Sequence, residues 1–165
     1  MKKWLIPVII IAVLVFGMYS WAKGVNNTAI TLNENISEAW GNVETSYQRR
    51  NDLIGNLVKT VKGAADFEKS TLEAVINARS KATSVTIDPT NITPEQLEQF
   101  NQAQGGVSSA LSRLLVTVER YPDLKANQNF LKLQDELAST ENQILTARTR
   151  FNEAVKPYNN HIKVF

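Results

Sequence analysis

Cysteine is absent from the 165 residues, which excludes disulfides, zinc-thiolate sites and thiol nucleophiles together. Stability must therefore come from packing. The single histidine, His161, has no Glu-x-x-His neighbour anywhere, so the paired ligands of a carboxylate-bridged di-iron bundle are lacking. No Gly-x-Ser-x-Gly, phosphate loop or Gly-x-Gly-x-x-Gly occurs, and Gly105-Gly106 falls inside a helical pattern where close helix approach explains it better than phosphate binding. No nucleophile, base and orienting group recur together, so the chain is read as no enzyme, with an unrecognised hydrolase as the distant alternative, and no cofactor or metal is expected. Strand-type alternation is missing as well, and seven glycines and five prolines leave few breaks in a helical chain.

Charge is missing over one long stretch. Residues 4–22 form nineteen consecutive uncharged positions between Lys2-Lys3 and Lys23. At about 1.5 Å per residue such a helix spans close to the roughly 30 Å hydrocarbon core of a bilayer. Its centre, Val8-Ile9-Ile10-Ile11-Ala12-Val13-Leu14-Val15-Phe16, is apolar on every face, whereas a soluble helix would carry a single stripe. Trp4 at one end and Tyr19 and Trp21 at the other are placed like interfacial aromatics, and Pro7 sits in the first turn, where it breaks little. Ser20-Trp21-Ala22 loosely meets the signal-cleavage pattern, but the apolar run exceeds the usual core and a bulky Trp21 adjoins the cut, so a retained anchor is expected. Lys2 and Lys3 against the lone Lys23 put the N-terminus in the cytoplasm and the remainder outside it. The lipid bilayer is thus the first partner the sequence names.

Residues 1–23 make up this anchor with its short basic tail, and residues 24–165 are sufficient for one domain with its own core. The formal charge of +2 depends on the anchor: without Lys2, Lys3 and Lys23, 15 basic residues face 16 acidic ones, a net of −1, which gives no sign of a nucleic-acid partner. Three glycosylation triplets, at Asn26, Asn35 and Asn91, are coincidences of a polar composition.

Ile36, Ala39, Trp40, Val43, Tyr47, Leu53, Ile54, Leu57, Val61, Ala64 and Phe67 follow the a, d and e positions of a heptad beginning at Ile36. The frame slips by one residue at Gly63-Ala64-Ala65-Asp66 and resumes at Leu72, Val75, Ile76, Arg79 and Ala82. Gly63 can close one helix and Asp66 cap the next, although a continuous helix with a stutter also fits. Asp88-Pro89-Thr90-Asn91 is turn chemistry, and Thr93-Pro94-Glu95-Gln96 is a capping box with proline at the first helical position. The helix so begun carries Leu97, Phe100, Val107, Leu111, Leu114, Val118 and Tyr121 on one face and must end before Pro122. After a link over residues 122–126 the last helix repeats Phe130, Leu133, Leu137, Thr140, Ile144, Ala147, Phe151, Ala154 and Tyr158 at steps of three and four, with a kink or an end expected at Pro157. The fold class is all-α: an N-terminal transmembrane helix followed by an up-and-down antiparallel bundle of long helices, four in number or, if the Gly63 corner does not form, three.

Ala39-Trp40-Gly41-Asn42-Val43, Arg49-Arg50-Asn51-Asp52-Leu53-Ile54-Gly55-Asn56-Leu57-Val58, Tyr121-Pro122-Asp123-Leu124-Lys125-Ala126-Asn127, Leu133 to Leu137, Thr140-Glu141-Asn142 and Arg148 to Asn152 stand in an order and spacing that resembles the LemA family, from about Ile30 onward. The resemblance implies a bacterial protein with one N-terminal transmembrane helix and a four-helical bundle, and it implies no defined molecular activity. Descriptions of that family put the small N-terminus outside the cell, opposite to the charge rule. Gly55 stands where the family commonly has proline, and the family usually continues for a short stretch past the position of Phe165, so a terminal element is expected to be missing.

Arg49, Arg50 and Asp52 form the charged cluster that stands out. Arg50 occupies an a position, so its charge enters the bundle seam against a carboxylate or else marks a recognition patch. Glu141 and Arg148, at e positions seven apart, are read the same way, as bundle-edge pairing or partner contact. Gly41 and Gly55, fourteen apart at f positions, form a candidate strip for close packing. Two function classes follow: a membrane-tethered scaffold or adaptor that holds an unidentified protein partner, and a self-assembling, homo-oligomeric membrane protein.

Overall fold

The computed structural model describes residues 5–64 and 67–164. The basic tail at Lys2 and Lys3, the aromatic at Trp4 and the cap assigned to Asp66 lie outside the described residues. Five helices follow in order: α1 (Leu5–Lys62), α2 (Lys69–Thr83), α3 (Pro94–Val118), α4 (Pro122–Lys125) and α5 (Gln128–Val164), with no strand among the described residues. The long N-terminal apolar helix is followed by a bundle, in which the outer two-thirds of α1, α2, α3 and α5 are the four members and α4 is a one-turn link.

α1 runs unbroken for 58 residues, about 87 Å at 1.5 Å per residue. Its first turns carry Val8, Ile11, Leu14, Phe16 and Met18, all exposed, because apolar side chains on every face leave no single stripe to bury. From Ile36 onward the same helix becomes amphipathic, and the heptad positions Ile36, Trp40, Val43, Tyr47, Ile54, Leu57 and Val61 are buried. It closes at Lys62, where the Gly63 amide turns back to the carbonyls of Lys59 and Thr60, at 3.3 and 3.2 Å. The corner at Gly63 is therefore formed and the helix count is four. The next helix starts after Glu68, whose side chain makes no capping bond.

The capping box at the start of α3 is complete. The Gln96 amide donates to Thr93 Oγ1 at 3.2 Å and the Thr93 amide donates to Gln96 Oε1 at 3.0 Å. Replacing Thr93 with alanine leaves an orphan amide at the helix end and should cost about 1 kcal/mol, read as a lower denaturation midpoint at an unchanged slope. In the preceding turn the hydroxyl of Thr90 and then its amide donate to the Asp88 carboxylate, at 2.6 and 2.9 Å, holding that carboxyl below its ordinary value. The turn is thus favoured above the ordinary carboxylate range and loosens as the pH falls through the lowered value.

Two apolar clusters fill the bundle. One, far from the apolar end of α1, gathers Leu53, Ile54, Leu57, Val61, Val75, Val107, Leu114, Val118, Phe130 and Leu137. The other, nearer that end, gathers Ile36, Trp40, Val43, Tyr47, Ile87, Phe100, Ile144, Ala147 and Phe151. The second is built on aromatics: Trp40 meets Phe100 and Phe151 edge-on at 5.2 and 5.3 Å, and Tyr47 meets Phe100 at 5.0 Å.

Three expectations are corrected or narrowed. Ile76, placed on the α2 stripe, is 44 % exposed, and the buried apolar residues of α2 are Leu72, Val75 and Ala82. The link over residues 122–126 contains the single helical turn α4, opened by Pro122 and held by Leu124 in the core. Of the kink or end expected at Pro157 the end is excluded, because α5 continues to Val164. Ala154, Val155 and Tyr158 pack against the second cluster, and His161 Nε2 lies 2.9 Å from the Val25 carbonyl, contacts that offset the hydrogen bond proline cannot make.

Candidate functional site

Between the two clusters lies a polar layer. Arg50 of α1, Gln104 of α3 and Thr140 of α5 are buried at matching levels, each one step along its helix between the apolar residues above and below. Arg50 is 1 % exposed. One terminal nitrogen donates to Glu141 Oε1 at 2.9 Å and to Ser108 Oγ at 3.2 Å, and the other donates to Gln104 Oε1 at 2.5 Å and to the Gln104 carbonyl at 3.4 Å. Its guanidinium carbon stands 4.9 Å from the centre of the Tyr47 ring, so the charge is also held against an aromatic face. Among the described residues Arg50 Nε, Asn51 Oδ1 and Trp40 Nε1 are buried with no hydrogen-bond partner, and each is a desolvation cost that the surrounding packing must offset.

The layer opens sideways into a cleft of about 240 Å³ lined by Tyr47, Arg50, Gln104, Glu141 and Arg148 among others. Arg148 also borders a smaller, aromatic-walled cavity of about 70 Å³ beside Trp40, Phe100 and Phe151. The arrangement supplies two guanidinium groups, a carboxylate, an amide and a hydroxyl, which is ion-pairing and hydrogen-bonding chemistry. Among the described residues no group of three histidine, aspartate or glutamate side chains converges as a metal site would require.

The sequence-derived residues separate into an inner and an outer set. Arg50 and Glu141 meet, so the seam position of Arg50 is an ion pair within the chain, with Glu141 side-chain exposure at 46 %. Glu141 pairs across helices with Arg50, and Arg148 takes part in none of the ion pairs among the described residues. Arg49 and Asp52 lie on the opposite, outward face of α1, in a shallow groove with Glu44, Gln48 and Asn56, where Gln48 Nε2 donates to Asp52 Oδ1 at 3.2 Å. Gly41 and Gly55 differ in surroundings. A side chain at Gly41 would enter open space, whereas at Gly55 a Cβ would touch the Arg79 guanidinium at 3.5 Å. Gly55 is therefore occupied by α2 of the same chain, through an arginine whose Nε donates to the Asn51 carbonyl at 2.7 Å.

Sequence reasoning missed three contributors: Gln104 and Ser108, which share the Arg50 charge, and the lower pairing of α1 with α5. Val25, Ala29 and Leu32 are partly buried. They extend the heptad of Ile36 backward at d, a and d, a signal present in the sequence, and the His161–Val25 bond fixes α5 against that extension.

The chain is 29% identical over 150 residues to magnetosome protein MamQ 1 of Paramagnetospirillum magneticum, covering 81% of this chain and 55% of that protein. It is 27% identical over 150 residues to magnetosome protein MamQ of Magnetospirillum gryphiswaldense, again with 81% and 55% covered. Against protein LemA of Metamycoplasma hominis the identity is 24% over 159 residues, covering 95% of this chain and 68% of that one. The chain thus spans about half the length of the magnetosome relatives it matches. The model of the LemA family matches residues 39–165, the whole bundle from Ala39 onward, and the chain belongs to the LemA family.

Proposed function

We propose that the protein is a single-pass membrane protein whose bundle is a scaffold or adaptor rather than an enzyme. One observation carries the reading: α1 passes without a break from a segment apolar on all sides into the buried stripe of the bundle. A helix that is both the candidate span and a core member cannot swing freely against its domain, so the bundle stands as a strut. From Lys23 to Lys62 the helix projects about 60 Å from the bilayer. The charge balance around the span puts the bundle outside the cytoplasm. The outer face of α1, with Arg49 and Asp52, is the surface offered to a protein partner, since Arg50 and Glu141 are spent on each other.

The anchor is tested by washing native membranes with carbonate or high salt. The protein is expected to remain in the pellet with residues 1–22 present by mass, and a soluble product beginning at Lys23 would overturn the reading. Lateral self-assembly is the second reading, favoured by the open flank of Gly41 on that same outer face. Light scattering in detergent separates the two, a single-chain mass supporting the scaffold and a multiple of it the assembly.

A further inference from the structure

α5 is antiparallel to α1 and reaches back past the rest of the bundle. The α2–α3 loop stops at the level of Ser37, whose Oγ donates to the Pro89 carbonyl at 3.0 Å. Below that level α1 and α5 continue alone as a two-helix stem, and the His161–Val25 contact at 2.9 Å closes it. Val25 lies three residues past Ala22, the end of the uncharged run, or about 4.5 Å along the axis. The headgroup layer on each side of a bilayer is roughly 5–7 Å deep, so His161 sits at headgroup depth if α1 spans the membrane. The turn after it runs deeper still: Val164, three residues on, comes level with Ala22 at the edge of the hydrocarbon.

The chemistry of this end matches that depth. Ile162 and Val164 are 52 % and 74 % exposed on the last turn of α5. Lys163 and Lys23 are exposed around them. No acidic residue occurs in α1 before Glu34, and none in α5 after Glu153. Exposed apolar side chains flanked by lysines, with no aspartate or glutamate side chain in this part of either helix, form the pattern of a surface that lies in an anionic lipid interface.

We propose that the last two turns of α5, residues 158–164, dock into the headgroup layer of the leaflet that α1 leaves, with Ile162 and Val164 at the hydrocarbon edge and Lys23 and Lys163 on anionic lipid headgroups. This rests on the anchor reading above and adds to it a second point of membrane contact. Two contacts define a plane of attachment where one helix alone leaves tilt free, so the stem holds the bundle at a set angle to the bilayer.

The cysteine-free chain permits single cysteines, placed at Ala12, Val164 or Ser70 of the full-length protein and labelled with an environment-sensitive fluorophore. Each variant is reconstituted in nanodiscs at one copy per disc, with phosphatidylcholine alone or mixed with phosphatidylglycerol, and quenched by lipids spin-labelled in the headgroup or deep in the acyl chain. The Ala12 label should be quenched by the deep probe, the Val164 label by the headgroup probe, and the Ser70 label by neither. Replacing Lys23 and Lys163 with glutamine should lower the docked fraction in phosphatidylglycerol discs by on the order of fivefold per lysine, with helicity unchanged. A Val164 label that behaves like Ser70 while Ala12 is quenched would overturn the docking and leave the anchor standing. An unquenched Ala12 label would overturn both. Val164 protection found only in discs holding two copies would assign the surface to a second chain and overturn the lipid assignment, and quenching insensitive to the lysine changes would remove the anionic headgroups as the ligand.

Discussion

Ile144→Asp is expected to unfold the bundle. Ile144 is 4 % exposed in the aromatic cluster against Tyr47 and Phe151, at the edge of the cleft that Arg50 and Arg148 line, and an aspartate there loses the buried side chain and sets a carboxylate among the apolar residues of that cluster. Loss of a buried isoleucine alone costs about 2–5 kcal/mol, and desolvation of the carboxylate adds to it. The sum approaches the whole stability of an ordinary domain, about 5–15 kcal/mol. Leu57→Asp, at a position with no exposure in the other cluster, should act equally strongly. The control is the next residue, Leu145, which is 66 % exposed, so that Leu145→Asp should stay within about 0.5 kcal/mol. Thermal melting followed by circular dichroism in detergent reads all three, and an intact midpoint for Ile144→Asp would mean that the assigned face of α5 is wrong.

Arg50→Ala is expected to cost about 3 kcal/mol, because it removes a buried side chain beside the cleft and leaves the Gln104 side chain without its donor. The Glu141 carboxylate is also released, but at 46 % exposure water can take it over, which keeps the loss below that of a fully buried pair. For the same reason Glu141→Gln should cost only about 1 kcal/mol, since Gln104 and Ser108 still hold the guanidinium. A double-mutant cycle by chemical denaturation gives the coupling. Equal losses for the two single changes would show that the Glu141 bond, not the Gln104 cradle, carries the site. Arg50→Met, close in volume and without charge, separates packing from polarity: retained stability with a broadened or mixed native state would make the layer a device for helix register.

Much of this arrangement was legible in short windows. The apolar run over residues 4–22, the Thr93 capping box, the closure at Gly63 and the stripe that put Arg50 in the seam depend on contacts within one or two helical turns, and local periodicity and capping govern these directly. The resemblance carried by Arg49 to Val58 and Tyr121 to Asn127 reached the right family for the same reason, since contiguous motifs survive without knowledge of the fold.

What the sequence by itself determined, then, is an all-helical chain with an apolar leading segment, the faces its helices bury and the charge that enters the seam. Only the tertiary structure decided which carboxylate meets that charge. Glu141 and Arg148 share a face of α5 at heptad spacing, and which of them meets a charge across the bundle depends on the rotation of α5 about its axis relative to α1 and α3, to which no local pattern responds. It likewise decided that Gly55 belongs to Arg79, that Ile76 faces outward and that α5 runs through Pro157 down to Val25. In each case the deciding contact joins residues far apart in sequence. Its free energy exists only once both helices are in place, and it outweighs the local preference of a glycine, an isoleucine or a proline that the sequence alone displays.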